Sequence, residues 1–348
     1  MNMSDECVYH KLNESKYIFL ILYVNDILHV NNDISLLYDT KIFLLKNFQM
    51  KDLGPAYYFL NIEFLPHPNG FVLSQSHYIH SFLMQINMDK SKPTATPWLV
   101  SSLSSNHVGS FDSSVYRSVV GALPYITITR PDIAFAVNKV CQTMHAPSTQ
   151  HWVNLKHLLR YLKGSILHGL LFRHSPSLSH TAFSNADCVG SPSDRQFTRG
   201  YLIFLGTNLV SWSSKKQPTV ARSSTAAEYR AVADTIAELL WIRSLLTELR
   251  IPFTSPTTLW CDNVGATYLT ANPIFHARTK HVEFDYHFVP EQVLSKHLRV
   301  CIISSTDQHA DLLTKALPKA RFKLLFNKLN LVSRQSLRGA IEEEDPSG

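Results

Sequence analysis

The chain has 348 residues, of which 45% are hydrophobic and 17% charged, and this length allows two or three globular domains. Its 33 Lys and Arg outnumber its 27 Asp and Glu, and the formal net charge of +6 favours polyanionic partners. The longest apolar run, residues 17–24, is too short for a membrane span, and residues 1–16 lack a signal-peptide layout. The five scattered cysteines are typical of reduced thiols. We therefore expect an intracellular protein of the cytoplasm or nucleus, without a membrane segment or a cysteine-based zinc site.

The first predicted element is a hairpin in FLILYVNDILHV, where Asn25 and Asp26 separate two apolar runs. Asn and Asp tolerate the positive φ of a two-residue turn, so the pattern predicts two strands joined at these residues. A second interpretation is that the turn lifts a carboxylate out of the sheet toward a metal ion. These twelve residues alone do not decide between the two.

A helix, two strands and a linker are predicted next, and a long helical region follows them. Apolar spacing predicts a helix over residues 33–50, and two strands follow, joined by the turn PHPNG. A polar linker covers residues 89–114. Helical periodicity then runs from Val115 to Lys163, with a proline near a helix start.

From about residue 180 the pattern predicts a mixed sheet covered by helices. Three consecutive antiparallel strands come first, and a long helix capped by Thr225 follows. A short buried strand ends at Asp262, and a last helix, interrupted by a proline, opens near Asp311. Glu228 lies in the first turn of the long helix. Taken singly, each acid has an ordinary structural explanation, as a partner of the helix dipole or as a turn former.

Together these segments resemble the Pol polyprotein of copia-type LTR retrotransposons. The second half is similar to its ribonuclease H domain in SWSSKKQPTVARSSTAAEYRAVADTIAELLW, LWCDNVGATYLTANPIFHARTKHVEFDYHF and DQHADLLTKALP. The first half is similar to its reverse transcriptase in YVNDIL, KDLGPAYYFLNIEF, YRSVVGALPYITITRPDIAFAV and LKHLLRYLKG. The resemblance runs in order from about residue 15 to about residue 330. It implies an α/β (α+β) architecture in which a truncated reverse transcriptase palm and connection remnant precedes a ribonuclease H-like mixed sheet flanked by helices.

The resemblance also implies four segments. We expect a palm remnant in 1–95, a largely helical thumb or connection region in 96–178, a ribonuclease H-like domain in 179–318, and a final helix with a disordered acidic tail in 319–348.

The family's ribonuclease H cleaves the RNA strand of RNA–DNA hybrids with two Mg²⁺ ions, which Mn²⁺ can replace. Two divalent ions about 4 Å apart repel by roughly 16 kcal/mol at an effective dielectric constant of about 20, so bridging carboxylates are required. The resemblance assigns three metal ligands to Glu228, Asp262 and Asp311. At the fourth position the family has Asp, and this chain has Asn185. Asp187 lies two residues further along the same strand and is expected to compensate only weakly.

The hairpin shows the same kind of change. The family has YVDD, whose first aspartate is a principal metal ligand for nucleotide transfer, and this chain has Asn25 followed by Asp26. The hairpin begins close to Met1, which leaves no room for the upstream aspartate and the fingers that a polymerase needs. The resemblance therefore predicts a reverse transcriptase and ribonuclease H by family with neither activity intact.

Two alternatives stay open. One is slow hybrid cleavage with Mg²⁺ or Mn²⁺, and the other is a module that binds nucleic acid without chemistry. The expected partners are an RNA–DNA hybrid or another nucleic acid and a full-length Pol, while the sequence does not indicate an oligomeric state. The expected phosphate contacts are the basic residues near the two helices of the site, namely Lys215, Lys216, Arg222, Arg278 and Lys280.

Overall fold

The computed structural model describes residues 7–13, 16–100, 112–187, 196–221, 223–251, 255–271 and 283–334, without the side chains of 12–13 and 283–287. The first sheet is an antiparallel meander of β1 (Val8–Asn13), β2 (Lys16–Tyr23) and β3 (Asp26–Asn31). Helix α1 (Ile34–Asn47) follows, and its N-cap Asp33 accepts a hydrogen bond from the backbone N of Leu36. The predicted hairpin and helix are therefore both present.

The hairpin turn lies one residue earlier than predicted. Tyr23 pairs with Asp26, so the two-residue loop is Val24–Asn25 rather than Asn25–Asp26. The positive φ of +51° falls on Val24, a β-branched residue that rarely adopts it. The continuous pairing of β2 with β3 sets this register, and it overrides the local turn preference of Asn and Asp.

A second, antiparallel sheet is assembled from distant parts of the chain, in the order β13-β7-β6-β5-β4. Its strands are β4 (Tyr58–Phe59), β5 (Ile62–His67), β6 (Gly70–Ser74), β7 (His168–Arg173) and β13 (Leu331–Ser333). The predicted turn PHPNG is confirmed, since His67 pairs with Gly70. Strands β7 and β13 were not predicted, because a six-residue and a three-residue run acquire strand structure only by pairing with a remote neighbour. The predicted segment boundaries stay predictions, but three of the four segments contribute strands to this one sheet.

The middle of the chain forms four helices and a turn; three of the helices lie in the region predicted to be helical, and the first one was not predicted. These are α2 (Ser76–Gln85), α3 (Ser113–Ile126), the 3-10 turn Pro131–Ile133, α4 (Ala134–Cys141) and α5 (Thr149–Gly164). Pro131 occupies the first position of its turn, where a missing N–H costs nothing. Among the described helices, none is at once long enough and apolar enough to cross a membrane.

The third sheet is the mixed sheet that the resemblance implies, with strand order β10-β9-β8-β11-β12. Its strands are β8 (His180–Asp187), β9 (Thr198–Leu205), β10 (Asn208–Lys216), β11 (Thr257–Cys261) and β12 (Leu298–Ile302), and the helices after β10 are α6 (Ser224–Glu248), α7 (Val264–Ala271), α8 (Glu283–Leu294) and α9 (Lys319–Phe326). Strands β8, β9 and β10 are antiparallel, as predicted, whereas β11 runs parallel to both β8 and β12. This arrangement is ribonuclease H-like.

Both faces of the third sheet are buried. One core, which includes Tyr229, Val232 and Ile236, joins one face to α6. A larger core extends from Ile79 to Leu331, and joins the other face to the helical region and the second sheet. The ribonuclease H-like sheet is therefore packed against the preceding helices rather than separated from them.

Candidate metal centre

Five of the predicted site residues converge at one end of the third sheet. Asn185 and Asp187 lie at the end of β8, and Asp262 directly follows β11, its parallel neighbour. Glu228 is in the second turn of α6, and Asp311 is in the 3-10 helix His309–Leu313. Because the carboxyl ends of parallel strands meet at one edge, two remote stretches of sequence come together here. Asn185, Glu228 and Asp311 are only 4–5% exposed.

Helix α6 starts one turn before Glu228, but its cap differs from the prediction. The side chain of Ser223, rather than that of Thr225, accepts the hydrogen bond from the backbone N of Ala226. Ser223 has the extended backbone of an N-cap, while Thr225 is already helical. Both residues belong to one run of Ser and Thr, so composition alone did not distinguish them.

Glu228 is the most electrostatically perturbed acid of the site. Burial raises the pKa of its carboxyl group to about 8, although the hydrogen bond from the backbone N of Ala186 to Oε1, at 2.9 Å, opposes this shift. The negative charges of Asp262, Asp187 and Asp311 raise the pKa further. Three acids thus act on Glu228, and a cation beside its carboxyl group would relieve this repulsion.

Asn185 makes a direct contact with Asp311. Its Nδ2 donates to Asp311 Oδ1 at 2.8 Å and to Thr314 Oγ1 at 2.7 Å. Asp311 also pairs with Lys315, at 2.7 Å from the same Oδ1, and with Arg321, at 3.4 Å from Oδ2. Both oxygens of Asp311 therefore already face hydrogen-bond donors. Burial raises the pKa of Asp311, and the two cations oppose that shift.

One group of donor atoms among the described residues could hold a metal ion. Ligand atoms of Glu228, Cys261 and Asp262 all lie within 4.8 Å of one another, and the part of the chain that the structure describes holds no other such trio. Asp262 accepts one hydrogen bond from Ser305, at 2.9 Å. Between Asn185 and Asp311, by contrast, an amide N–H group points at the carboxylate.

Cys261 is a residue that the sequence interpretation missed. Its Sγ lies 4.0 Å from Glu228 Oε2, and burial raises the pKa of its thiol to about 12. Strand alternation would place Cys261 and Asp262 on opposite faces, but β11 ends at Cys261 and the chain turns there. The sequence did offer one signal for Cys261, namely its position at the end of a predicted strand, directly before the predicted ligand Asp262.

The two described candidates for phosphate contacts point to opposite faces of the sheet. Lys216 pairs with Thr198, and Thr198 pairs with Asp187, so Lys216 shares a cross-strand row and a face with the site. Lys215 instead lines a cavity of about 250 Å³ beneath α6, together with Arg199. The other three candidates, Arg222, Arg278 and Lys280, lie outside the described residues.

The hairpin residues lie apart from this centre. Asn25 and Asp26 are exposed at the tip of the first sheet, and neither belongs to a three-residue group of metal ligands among the described residues.

The comparisons with known proteins are consistent with this architecture. The family described as Reverse transcriptase (RNA-dependent DNA polymerase) matches residues 2–100. The retrovirus-related Pol polyprotein from transposon RE1 of Arabidopsis thaliana is 45% identical over 95% of this chain and 23% of its own length. That from transposon TNT 1-94 of Nicotiana tabacum is 37% identical over 92% of this chain and 25% of its own length. The chain thus spans about a quarter of these relatives.

Similarity to solved structures is lower. The foamy viral protease-reverse transcriptase in complex with an RNA/DNA hybrid is 12% identical over 82% of this chain and 36% of its own, with a TM-score of 0.47. The fold assignment therefore rests on the strand order of the third sheet itself. The ordered identity over nearly the whole sequence shows that the chain belongs to the family of copia-type retrotransposon Pol polyproteins.

Proposed function

We propose that this chain is a Pol segment that binds RNA–DNA hybrid at a ribonuclease H site whose hydrolytic activity is crippled by Asn185. The observation that carries the proposal is the 2.8 Å hydrogen bond from Asn185 Nδ2 to Asp311 Oδ1. The family aspartate at this position would place a second carboxylate against Asp311.

The physical difference between the two side chains is large. Two buried carboxylates in contact repel strongly and need a bridging cation, whereas an amide and a carboxylate attract through a hydrogen bond. Asn185 thus removes one negative charge and supplies the donor that makes a cation unnecessary. Lys315 and Arg321 complete the neutralisation of Asp311. We infer that the second metal position of the family site is lost.

The remaining position would hold one Mg²⁺ or Mn²⁺ ion through Glu228 and Asp262. Such an ion would supply Lewis-acid stabilisation of charge on the scissile phosphate. The chain's own residues would orient the strand, and Lys216 would contact a phosphate on the face that carries the site. Asp187 acts electrostatically on Glu228, which supports a minor role as a substitute ligand.

We also propose that the hairpin does not support nucleotide transfer. Asn25 offers a neutral amide where the family has a carboxylate, and Asp26 alone cannot hold two divalent ions. Both residues are solvent-exposed.

Cleavage of a labelled RNA–DNA hybrid tests the proposal. The full chain, its Glu228→Gln variant, Asn185→Asp, and Asn185→Asp with Glu228→Gln would be compared in Mg²⁺ and in Mn²⁺. We expect cleavage from Asn185→Asp alone. Cleavage by the natural chain, abolished by Glu228→Gln, would contradict the inactivity claim and favour the weakly active alternative. No cleavage by any variant would contradict the claim that Asn185 alone silences the site.

The binding-only alternative is supported by the position of Lys216 beside the site. Hybrid binding that weakens steeply with salt and shows no turnover, even with Asn185→Asp, would favour it. Lys216→Ala should then reduce the salt dependence, while Lys328→Ala, an exposed cation in the turn after α9, serves as the matched control.

A further inference from the structure

Two fully buried glutamines are bonded to the backbone next to the metal-ligand positions. Gln217 and Gln308 are both 0% exposed. Neither side chain reaches toward the ligand atoms themselves. Each one instead hydrogen-bonds to residues that directly precede a ligand position in the chain.

Gln308 joins strand β8 to the 3-10 helix. Its Nε2 donates to the backbone O of Ser184 at 2.9 Å, and its Oε1 accepts from the backbone N of Ala310 at 3.1 Å. Ser184 precedes Asn185, and Ala310 precedes Asp311. A single side chain therefore fixes the separation of these two ligand positions, which belong to elements more than 120 residues apart in sequence.

Gln217 joins the start of helix α6 to the chain segment before β9. Its Nε2 donates to the backbone O of Ala227 at 2.9 Å, and its own backbone N donates to Phe197 O at 2.8 Å. Ala227 precedes Glu228. The Oε1 of Gln217 has no hydrogen-bond partner within the described residues, and leaving a buried oxygen unbonded costs stability. Stability alone therefore does not explain an amide here, while anchoring of the first turns of α6 does.

We propose that Gln217 and Gln308 are positioning residues that hold the ligands of this site at metal-binding distance. Gln217 positions Glu228, and Gln308 positions residue 185 against Asp311. The inference rests on the proposed function, because it assumes that these positions bind divalent ions. Residues that orient ligands commonly change metal affinity by roughly 10- to 100-fold when they are replaced.

The test measures Mn²⁺ binding by the full-length chain, by calorimetry and by the spin-resonance signal of bound Mn²⁺. Each glutamine is replaced by Met, because Met nearly preserves the shape of Gln. Gln308→Met is made in the Asn185→Asp background, and Gln217→Met is made both in the natural chain and in Asn185→Asp. The matched control is Gln75→Met. Gln75 is also 0% exposed and bonds Tyr125 O and Thr129 Oγ1, within the helical region.

We expect Gln308→Met and Gln217→Met to weaken Mn²⁺ binding by roughly 10- to 100-fold. Gln75→Met should lower the melting temperature to a similar extent and leave Mn²⁺ affinity unchanged. Unchanged affinity in the first two variants, or equal loss in all three, would overturn the proposal. If Gln308→Met does not fold, Gln308→Asn tests the same point, because it keeps a neutral amide while its shorter side chain no longer spans Ser184 O and Ala310 N.

Mn²⁺ binding by the natural chain and by Asn185→Asp distinguishes a failure of the proposed function from a failure of this inference. If Asn185→Asp binds no more Mn²⁺ than the natural chain, the proposed function fails at position 185, while the effect of Gln217→Met on the ion at Glu228 still tests this inference. If Asn185→Asp binds a second ion and the glutamine variants bind like their parents, only this inference fails.

Discussion

The first and third sheets each carry an asparagine where the resemblance implies an aspartate, and the surroundings of the two asparagines are opposite. Asn25 is exposed in a hairpin loop, next to Val24, which is 89% exposed. Asn185 is 4% exposed and donates to Asp311 and Thr314. On our proposal the exposed asparagine only replaces a ligand, whereas the buried asparagine also makes contacts of its own, so we expect it to affect the stability of the site as well as its chemistry.

The two sheets also differ in packing. Among the described side chains of residues 7–71, only Ile18 is buried, and α1 buries none. The third sheet is covered on both faces by continuous cores. We therefore expect the first sheet to open more readily than the third, since few apolar contacts oppose its local unfolding.

The largest expected loss of stability comes from the buried ion pair of the packed region. Arg130 and Asp132 are both inaccessible, bonded through two contacts of 2.9 and 2.7 Å, and Tyr161 donates to Asp132 at 2.6 Å. Arg130→Met would leave the Asp132 carboxylate buried and unpaired. We expect urea denaturation to show a loss of about 3–5 kcal/mol.

The first sheet offers the matched control. Lys16 and Asp33 form an exposed ion pair of 2.6 Å there. Lys16→Ala should cause a far smaller loss than Arg130→Met, because water screens the exposed pair. Equal losses in the two variants would contradict the contrast between the regions.

The pH dependence should also come from the packed region. Burial lowers the pKa of His157 and of His168 below the ordinary value of 6.5. At these two histidines the unfolded chain binds protons below about pH 6.5 before the folded chain does, so their contribution to the free energy of unfolding falls as pH falls. Glu228 acts in the opposite direction, because its pKa is raised and the folded chain binds a proton there first. Tryptophan fluorescence can follow this loss, because all five tryptophans lie beyond residue 97.

The variant His157→Gln tests how much this one histidine contributes to the pH dependence of stability. His157 hydrogen-bonds the backbone O of Thr96 through Nε2 at 2.8 Å, and Gln can retain such a contact. The variant should lose less stability than the natural chain between pH 7 and pH 5. An unchanged slope would mean that this histidine does not contribute.

The smallest expected effect is that of Asn25→Asp. The side chain is exposed in a two-residue loop, and the free energy of unfolding should change by less than about 0.5 kcal/mol. Mg²⁺ should not change this result, because Asp26, the first residue of β3, is the only acid within residues 19–30. A Mg²⁺-dependent rise in melting temperature would contradict this account of the hairpin.

Local patterns predicted much of the architecture, because many elements carry their own signals. The hairpin, the three antiparallel strands β8, β9 and β10, and the convergence of Glu228, Asp262 and Asp311 followed from periodicity and from the resemblance. Strands β7 and β13 did not, because their structure depends on pairing with β6 and with each other across most of the chain. Short-range preference also failed at the hairpin loop, where strand register placed the positive φ on Val24.

The sequence predicted which residues would lie at the site, but not the contacts that these residues make with their neighbours. Nothing in the sequence indicated that Lys315 and Arg321 would neutralise Asp311, or that Cys261 would lie beside Glu228. The hydrogen bond between Asn185 and Asp311 was missed as well, because it depends on how the 3-10 helix packs against β8 and β9. Gly200 allows that approach, since a Cβ there would lie 2.7 Å from the Cβ of Leu313.

Thermal denaturation of the natural chain and of Asn185→Asp, each with and without Mn²⁺, tests the central claim most directly. The claim is that the Asn185 amide replaces a cation at Asp311. Without metal, Asn185→Asp should be less stable, by about 1–3 kcal/mol, because two buried carboxylates then face each other. Mn²⁺ should stabilise Asn185→Asp much more than the natural chain. Equal stability without metal, or equal stabilisation by Mn²⁺, would contradict the claim.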